Sequence, residues 1–442
     1  MAKIKSDYLV ASIEANKYGK GALDNREISI KDCICVEGVE SRAGSLALEG
    51  YKPLFDATVV RKLKEAGGLI VGKTTQDEFG FGSFNVNVGI GFDVPKNPLD
   101  SSRVCGGSSG GAAAIVAQRK IEGIKHIAIA ESTGGSIVNP AAYCGVIGLC
   151  PTYGLISRYG LIDYANSLDK IGVIAENVED AAVTLSVISG FDEQDNTSVD
   201  RKKENYENYL EKAGKEKLKI AVIRDQANLC DKDVQKALNE LVSKLKKKHS
   251  VDEVELPLNN EHALGVYYII AMAEASTNLA KYSGMRYGYS EALKDGENYD
   301  EYFSRVRSKI FGKEAKRRII IGTFTRMAGY RDAYYAKALK VRTKIIREWK
   351  KHFEKYDLLL CPTMPDVAPR FDEINKLTPA QNYAMDILTV GPNLAGLPHI
   401  SVPFDSKTVD EENKIRMPIG MMFVADHFNE KYLIQIGKEV LG

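Results

Sequence analysis

A surplus of charge is the first thing this chain lacks. Lysine and arginine number 60 against 59 aspartates and glutamates, so no field over the whole surface draws it to nucleic acid or to a membrane. Long apolar runs are missing too: none reaches membrane-spanning length, and the first thirty residues hold no apolar core ahead of a small-residue cleavage site. Seven cysteines (Cys33, Cys35, Cys105, Cys144, Cys150, Cys230 and Cys361) form no Cys-x-x-Cys pair, which excludes the common zinc spacings and a disulfide framework. There is no internal repeat and no low-complexity tract. These absences predict a cytoplasmic protein with reduced, buried thiols and no metal site, and its 442 residues are enough for one extended sheet with a large core.

What the chain does have is glycine beside serine. Gly106-Gly-Ser-Ser-Gly-Gly111 opens a run that closes on Ser132-Thr-Gly-Gly-Ser136. Between them Ala112 to Ala117 is a good helix former, and Ile124 to Ala130 alternates as a strand does. Ser136 therefore falls just past a strand end. Glycines there let the backbone approach a ligand, and successive N–H groups can converge on a developing negative charge, which describes an oxyanion hole around a serine.

The rest of the chain alternates helices and strands. Strands are predicted at Tyr8 to Ile13, Ile28 to Cys35, Leu69 to Val71, Leu218 to Ile223, Leu358 to Thr363, Ile400 to Pro403 and Met417 to Val424. Asp56 is a candidate cap for a helix carrying Val59, Val60, Leu63 and Ala66, and Asn139 with Pro140 for the helix through Cys144. Val178 to Ile188 reads as a helix, as does the stretch opened by Asp231, whose basic end Lys246 to His249 suits a helix C-terminus. Asp192 to Lys217 is a polar connector, and residues 260–356 are strongly helical. One decoy stands out: Gly67-Gly-Leu-Ile-Val-Gly-Lys73-Thr74 has the spacing of a phosphate-binding P-loop, but a charged helix precedes its glycines and its middle positions are apolar, so a nucleotide site is rejected.

A nucleophilic serine needs a proton acceptor. The six histidines, at 126, 249, 262, 352, 399 and 427, have no catalytic setting; His126 lies in the strand leading to Ser136 but ten residues before it. A desolvated lysine is the other route, and Lys73, at the end of an apolar strand, is the best placed.

With Lys73, Ser108 and Ser136 in hand, the chain resembles the amidase signature family over nearly its whole length. The matches are Gly72-Lys-Thr-Thr-Gln-Asp-Glu-Phe79, the Gly106 to Gly111 turn and Thr133-Gly-Gly-Ser-Ile137. Further strings resemble the branch of that family formed by the A subunits of the glutamyl/aspartyl-tRNA amidotransferases: Tyr143-Cys-Gly-Val-Ile-Gly-Leu149 with Pro151-Thr-Tyr-Gly154, Asn166-Ser-Leu-Asp-Lys-Ile-Gly172, Arg317-Arg-Ile-Ile-Ile-Gly-Thr-Phe324 and Tyr383-Ala-Met-Asp-Ile-Leu-Thr389.

The resemblance implies an α/β fold: a single amidase domain over 1–442, with a large mixed β-sheet core covered by α-helices. Core segments fall at about 1–190 and 357–442, and a helical substrate-side region at about 260–356. It implies a Ser-Ser-Lys triad, with Ser136 as nucleophile, Lys73 as base and Ser108, in a cis peptide, as the bridge. The backbone amides from Thr133 to Ser136, including those of Gly134 and Gly135, would hold the oxyanion. Arg318, Asp386 and Tyr268, with Tyr267 as a substitute for the last, would hold glutamine, the guanidinium on the α-carboxylate and the carboxylate on the α-ammonium.

The implied function is a glutaminase subunit that releases ammonia for converting Glu-tRNA(Gln) or Asp-tRNA(Asn) to Gln-tRNA or Asn-tRNA. It would work with amidotransferase subunits B and C and with misacylated tRNA held by the complex. No cofactor is expected in this chain; ATP and Mg belong to the partner subunit. The alternatives are a stand-alone amidase acting on a small amide and a non-catalytic scaffold subunit. Three residues depart from the family pattern near the nucleophile: Ser132 for Asp, Val138 for Arg and Cys150 for Lys, read as a partly compensated loss of charges. The 28-residue interval from Ser108 to Ser136 also exceeds the family's by about one helical turn, with the excess around Gln118 to Lys125.

Overall fold

A computed structural model describes residues 6–16 and 18–442. Eleven strands form one sheet: β1 (Leu9–Ser12), β2 (Glu27–Lys31), β3 (Leu69–Thr74), β4 (His126–Ser132), β5 (Ile147–Cys150), β6 (Lys170–Ala175), β7 (Lys219–Ile223), β8 (Ser250–Val254), β9 (Leu358–Pro362), β10 (His399–Asp410) and β11 (Ile415–Ala425). Their order across the sheet is β1-β3-β2-β4-β6-β5-β10-β11-β9-β7-β8. β2 runs parallel to β3 and β4, and β7 to β8 and β9, while the remaining neighbours are antiparallel, so the sheet is mixed as expected. Strands β3, β4, β6 and β9 are buried at every residue. Such strands read as continuous apolar runs because both faces are covered.

Four helices matter for the site or its support: α1 (Thr58–Glu65), α2 (Gly110–Ile121), α3 (Val138–Cys144) and α4 (Val178–Ile188). From Gly110 to Ala117 α2 is buried on all sides. Its alanines pack with Ala128 and Ala130 of β4 and with Ile137 and Ala141 around α3, forming a small second core beside the main one. Small side chains let helix and sheet approach closely, and a Cβ at Gly111 would meet the Thr75 carbonyl at 2.6 Å. The helical stretch after β8 includes Pro257–Asn278, Tyr299–Ile310, Lys313–Arg326 and Lys337–Phe353.

Most sequence expectations hold, but β5, β6 and β8 are strands beyond those expected, β2 ends at Lys31 rather than Cys35, and four further differences bear on the fold. β7 and β8 join the same sheet, so residues outside the two expected core segments contribute to it. β10 and β11 are longer than the predicted strands and pair as one hairpin. Asp56 caps no helix; Ala57 stands at the N-cap of α1, and Asp56 instead accepts from the Glu37 amide and from Lys64. Asn139 lies inside α3, which starts one residue earlier, and its side-chain amide donates to the Ser83 carbonyl. Asp231 does cap its helix, accepting from the Asp233 amide.

Candidate active site

Two turns and one strand end meet at the site. Ser108 lies in the turn leading into α2, where the Gly107–Ser108 peptide is cis. Ser136 lies in the turn between β4 and α3. The Ser108 turn is fastened by backbone: its carbonyl accepts from the Asp77 amide at 3.1 Å, and the Gly107 amide donates to Ser83 at 2.9 Å. Ser136 is 6% exposed, and its hydroxyl has no hydrogen-bond partner among the described residues. The amides of Gly134, Gly135 and Ser136 are likewise unclaimed by any carbonyl there, so three donors beside the hydroxyl stay available.

The lysine on Ser108 is Lys31, not Lys73. Lys31 Nζ donates to Ser108 Oγ at 2.8 Å, to the Glu131 carbonyl at 3.0 Å and to Glu131 Oε2 at 2.9 Å, which uses all three protons of an ammonium. Lys73 is equally buried but donates to the carbonyls of Asp32 (3.2 Å) and Ile34 (2.6 Å) and to Ser41 Oγ (2.8 Å), with Asp32 Oδ1 at 3.8 Å. Burial pushes the Lys73 ammonium below its ordinary range, against the opposing pull of the Asp32 charge. Strand parity is the reason for the difference. β2 and β3 are parallel, with Ile30 opposite Lys73 and Lys31 opposite Thr74, so the two lysines point to opposite faces. Lys31 shares its face with Ser29, whose β4 partner Ala128 packs under α2. The decoy P-loop resolves the same way: Gly72 and Lys73 are interior to β3 and form no loop.

Around the lysine lies a network that sequence reading missed. Thr133 Oγ1 lies 2.7 Å from Glu131 Oε1 and 2.9 Å from Asp169 Oδ1. Asp169 also accepts from the amides of Tyr164 (2.9 Å) and Ala165 (2.9 Å). Gly80, at φ +81, closes over the group; a Cβ there would sit 3.5 Å from both Ser108 Oγ and Glu131 Oε2.

Arg318, Tyr268 and Asp386 lie together beside the nucleophile turn, and Arg318 lines the adjoining cleft. Tyr268 Oη donates to Asp386 Oδ2 at 2.6 Å, and burial raises the Asp386 carboxyl while bonds from Tyr268 and Ser83 and the Arg318 charge oppose the rise. Arg318, 3% exposed, donates to Glu314 Oε1 at 2.9 Å and to the Tyr164 hydroxyl, and its guanidinium lies 5.0 Å from the Phe81 ring centre and 5.4 Å from that of Tyr268. It lines a cavity of about 240 Å³ with Asp77, Phe81, Ser83, Glu314 and Tyr383. The nucleophile turn abuts the same residues. A Cβ on Gly134 would lie 2.9 Å from the hydroxyl of Tyr267, next in sequence to Tyr268, and one on Gly135 only 2.3 Å from Oγ1 of Thr389, whose amide bonds the Asp386 carbonyl. Tyr267 thus packs on the turn, while Tyr268 holds Asp386.

The three departures from the family pattern are absorbed quietly. Ser132 Oγ donates to the Gly134 carbonyl at 2.8 Å, Val138 is fully buried, and Cys150 Sγ is 3.8 Å from Asn393 Oδ1. The locality is not free of charge: Lys170, opposite Ser132 in register, is buried and donates to the Leu397 carbonyl at 2.9 Å. Gln118 to Lys125, where the longer interval between the serines is expected, forms the last turn of α2 and the exposed turn Glu122 to Lys125.

The profile of the Amidase family matches residues 6–434. The A subunit of glutamyl-tRNA(Gln) amidotransferase from Archaeoglobus fulgidus is 43% identical over 430 residues, covering 96% of this chain and 88% of the relative. Its counterpart from Halothermothrix orenii is 45% identical over 419 residues, covering 94% and 84%. Among solved structures, the A subunit of glutamyl-tRNA(Gln) amidotransferase from Thermotoga maritima superposes with a TM-score of 0.79 at 37% identity, covering 98% of this chain and 86% of that one. A peptide amidase from Stenotrophomonas maltophilia gives 0.74 at 27% identity, covering 96% and 83%.

Proposed function

The chain belongs to the amidase family, and from that membership we propose that it is the glutamine-hydrolysing subunit of a tRNA-dependent amidotransferase. The observation that carries the chemistry is the Lys31 Nζ to Ser108 Oγ contact of 2.8 Å beside an unpartnered Ser136 hydroxyl. In its neutral form Lys31 takes the Ser108 proton as Ser108 takes that of Ser136. Ser136 Oγ bonds to the side-chain carboxamide carbon of glutamine, and the oxyanion meets the free amides of Gly134, Gly135 and Ser136. On collapse the C–N bond breaks, the proton returns through Ser108 to the leaving nitrogen, and ammonia departs. Water then attacks the ester, releasing glutamate and Ser136. Arg318, which lines the cleft, and Asp386, bonded to the Tyr268 whose ring faces that guanidinium, suit the α-carboxylate and α-ammonium of the substrate.

Relatives named for a tRNA-dependent ligase support the subunit reading over a stand-alone amidase, and a Lys31–Ser108 pair beside an open serine is not what a silent scaffold requires. We assign subunits B and C as partners, with ATP and Mg at the partner site where the tRNA-borne carboxyl is activated; this chain needs no cofactor for amide hydrolysis. Seven unpaired, buried cysteines fit the reducing cytoplasm, and among the described residues no helix is long and apolar enough to cross a membrane. The test is glutamine hydrolysis by the full chain with and without co-expressed B and C subunits and misacylated tRNA. Hydrolysis should rise with the partners and vanish in Ser136→Ala; hydrolysis retained by Ser136→Ala refutes the site.

A further inference from the structure

Lys31 touches a carboxylate as well as a serine, and that carboxylate touches a second one. Glu131 Oε2 lies 2.9 Å from Lys31 Nζ with both side chains almost fully buried, and Glu131 Oε1 shares the Thr133 hydroxyl with Asp169 Oδ1 at 2.7 and 2.9 Å. A hydroxyl has one proton, and an ionised carboxylate can only accept. Thr133 therefore cannot donate to both; the second contact is a hydrogen bond only if one carboxyl carries a proton and donates to Oγ1. Asp169 is the group so placed: burial first, then the Glu131 charge, pushes its carboxyl well above the ordinary range.

We propose that Asp169, Thr133 and Glu131 form a proton-sharing chain that leaves a single negative charge on Glu131, and that this charge sets the pH range in which Lys31 can act on Ser108. The order of donation is Asp169 Oδ1–H to Thr133 Oγ1, Thr133 O–H to Glu131 Oε1, and Lys31 Nζ–H to Glu131 Oε2. Activation begins when an Nζ–H bond breaks and an Oε2–H bond forms. The neutral amine turns its lone pair to Ser108, the Ser108 Oγ–H bond breaks and an Nζ–H bond forms, and Ser108 recovers a proton from Ser136. No charge leaves the buried site, because the Lys31 ammonium and Glu131 carboxylate become an amine and an acid. Glu131 and Asp169 act through Lys31 and are positioning residues.

The other ionisable groups that face this chain are left unsubstituted in both variants. Near Lys31 and Glu131 these are Cys33 with the Asp32–Lys73 pair, Asp77 after β3, and Cys150 with Lys170. Near Asp169 they are Arg158, Tyr153 and Tyr164, with Arg318 beyond Tyr164.

The inference rests on the Lys31–Ser108–Ser136 reading, so its test reads the activated nucleophile and not glutamine turnover. The rate of fluorophosphonate labelling of Ser136 in the full chain is followed between about pH 5 and pH 10, where the protonation of a base shows as a limb of the profile. In Glu131→Gln the Lys31 proton has no carboxylate to pass to and must leave to solvent before the amine can act, so the acid limb moves to higher pH by at least about one pH unit. In Asp169→Asn, whose side chain can still donate to Thr133, the charge is unchanged and the limb stays in place, whatever happens to the plateau. An unmoved limb in Glu131→Gln, or an equal shift in Asp169→Asn, overturns the proposal. If Glu131→Gln fails to fold, infrared spectra of wild type and Asp169→Asn decide: the wild type should show a protonated-carboxyl stretch at neutral pH that Asp169→Asn lacks, and identical spectra overturn it. Absence of any Ser136 labelling in the wild type is a different result, which defeats the catalytic reading beneath.

Discussion

Lys31 and Lys73 stand on adjacent strands, and replacing each with methionine separates chemistry from architecture. Lys73→Met keeps the aliphatic stem but strips the charge that joins the carbonyls of Asp32 and Ile34 to Ser41 Oγ, leaving three buried acceptors and the Asp32 carboxylate without it. Each buried group left unsatisfied costs about 1–3 kcal/mol, and breaking a buried ion pair from one side about 3–5 kcal/mol. These overlap, so the expected loss is about 3–5 kcal/mol, or two to four powers of ten in the folding constant at ~1.4 kcal/mol per tenfold. Adding Asp32→Asn should recover part of it by removing the stranded carboxylate. Trp349, the single tryptophan, is fully buried with its Nε1 bonded to Asn259 Oδ1, so its fluorescence in a urea titration reports the unfolding. The folded fraction of Lys73→Met should still label at Ser136 within about tenfold of wild type, whereas Lys31→Met should lose about 10²–10⁴-fold, the usual worth of a general base. If folded Lys73→Met loses labelling as completely as Lys31→Met, the assignment of the base by strand parity is wrong.

Two further outcomes follow from particular contacts. Burial raises the Glu78 carboxyl to about 7 although Ser45 Oγ and the Gly312 amide both donate to it. The folded state then binds more protons than the unfolded one between the ordinary value of 4.5 and about 7, so Glu78 lowers stability as pH rises through that window. Glu78→Gln should flatten the urea midpoint against pH there and be more stable above it, by on the order of 2–3 kcal/mol; an unchanged slope refutes the reading. Gly135→Ala forces a Cβ to within 2.3 Å of Thr389 Oγ1, so the nucleophile turn must shift. A displacement of about 1 Å costs roughly a hundredfold in labelling rate, and a variant labelling at the wild-type rate shows that the turn is not held by that contact.

Much of this arrangement was legible in the chain because it is local. The Gly-Ser turns, the helix and strand between them, and the serine past the strand end all sit within about thirty residues whose periodicity is unambiguous. The base was not legible, since Lys31 and Lys73 both lie at or next to the ends of neighbouring buried strands, and only the register that puts Ile30 beside Lys73 says which one faces α2. Nor could Asp169 be found, because its partner Thr133 is reached through the pairing of β4 with β6 and not along the sequence. Arg318, Tyr268 and Asp386 were named by resemblance alone; helices and loops far apart in the chain bring them together. Asp56 and Asn139 had the right chemistry for caps but took other partners, Lys64 in the last turn of α1 and the Ser83 carbonyl across the fold.

The turn Glu122 to Lys125 gives α2 a meaning beyond packing. The helix carries the chain from the bridging serine to the far end of the sheet, and β4 brings it back to the nucleophile, so every residue added at that turn is added at the remote end of a rigid loop. Gly123, at φ +72, has nothing within 4 Å of where a Cβ would stand. Chain length between the two serines is thereby uncoupled from the distance between their hydroxyls. The active site can stay fixed while evolution, or an engineer inserting a peptide tag, changes the spelling of the segment that joins its halves.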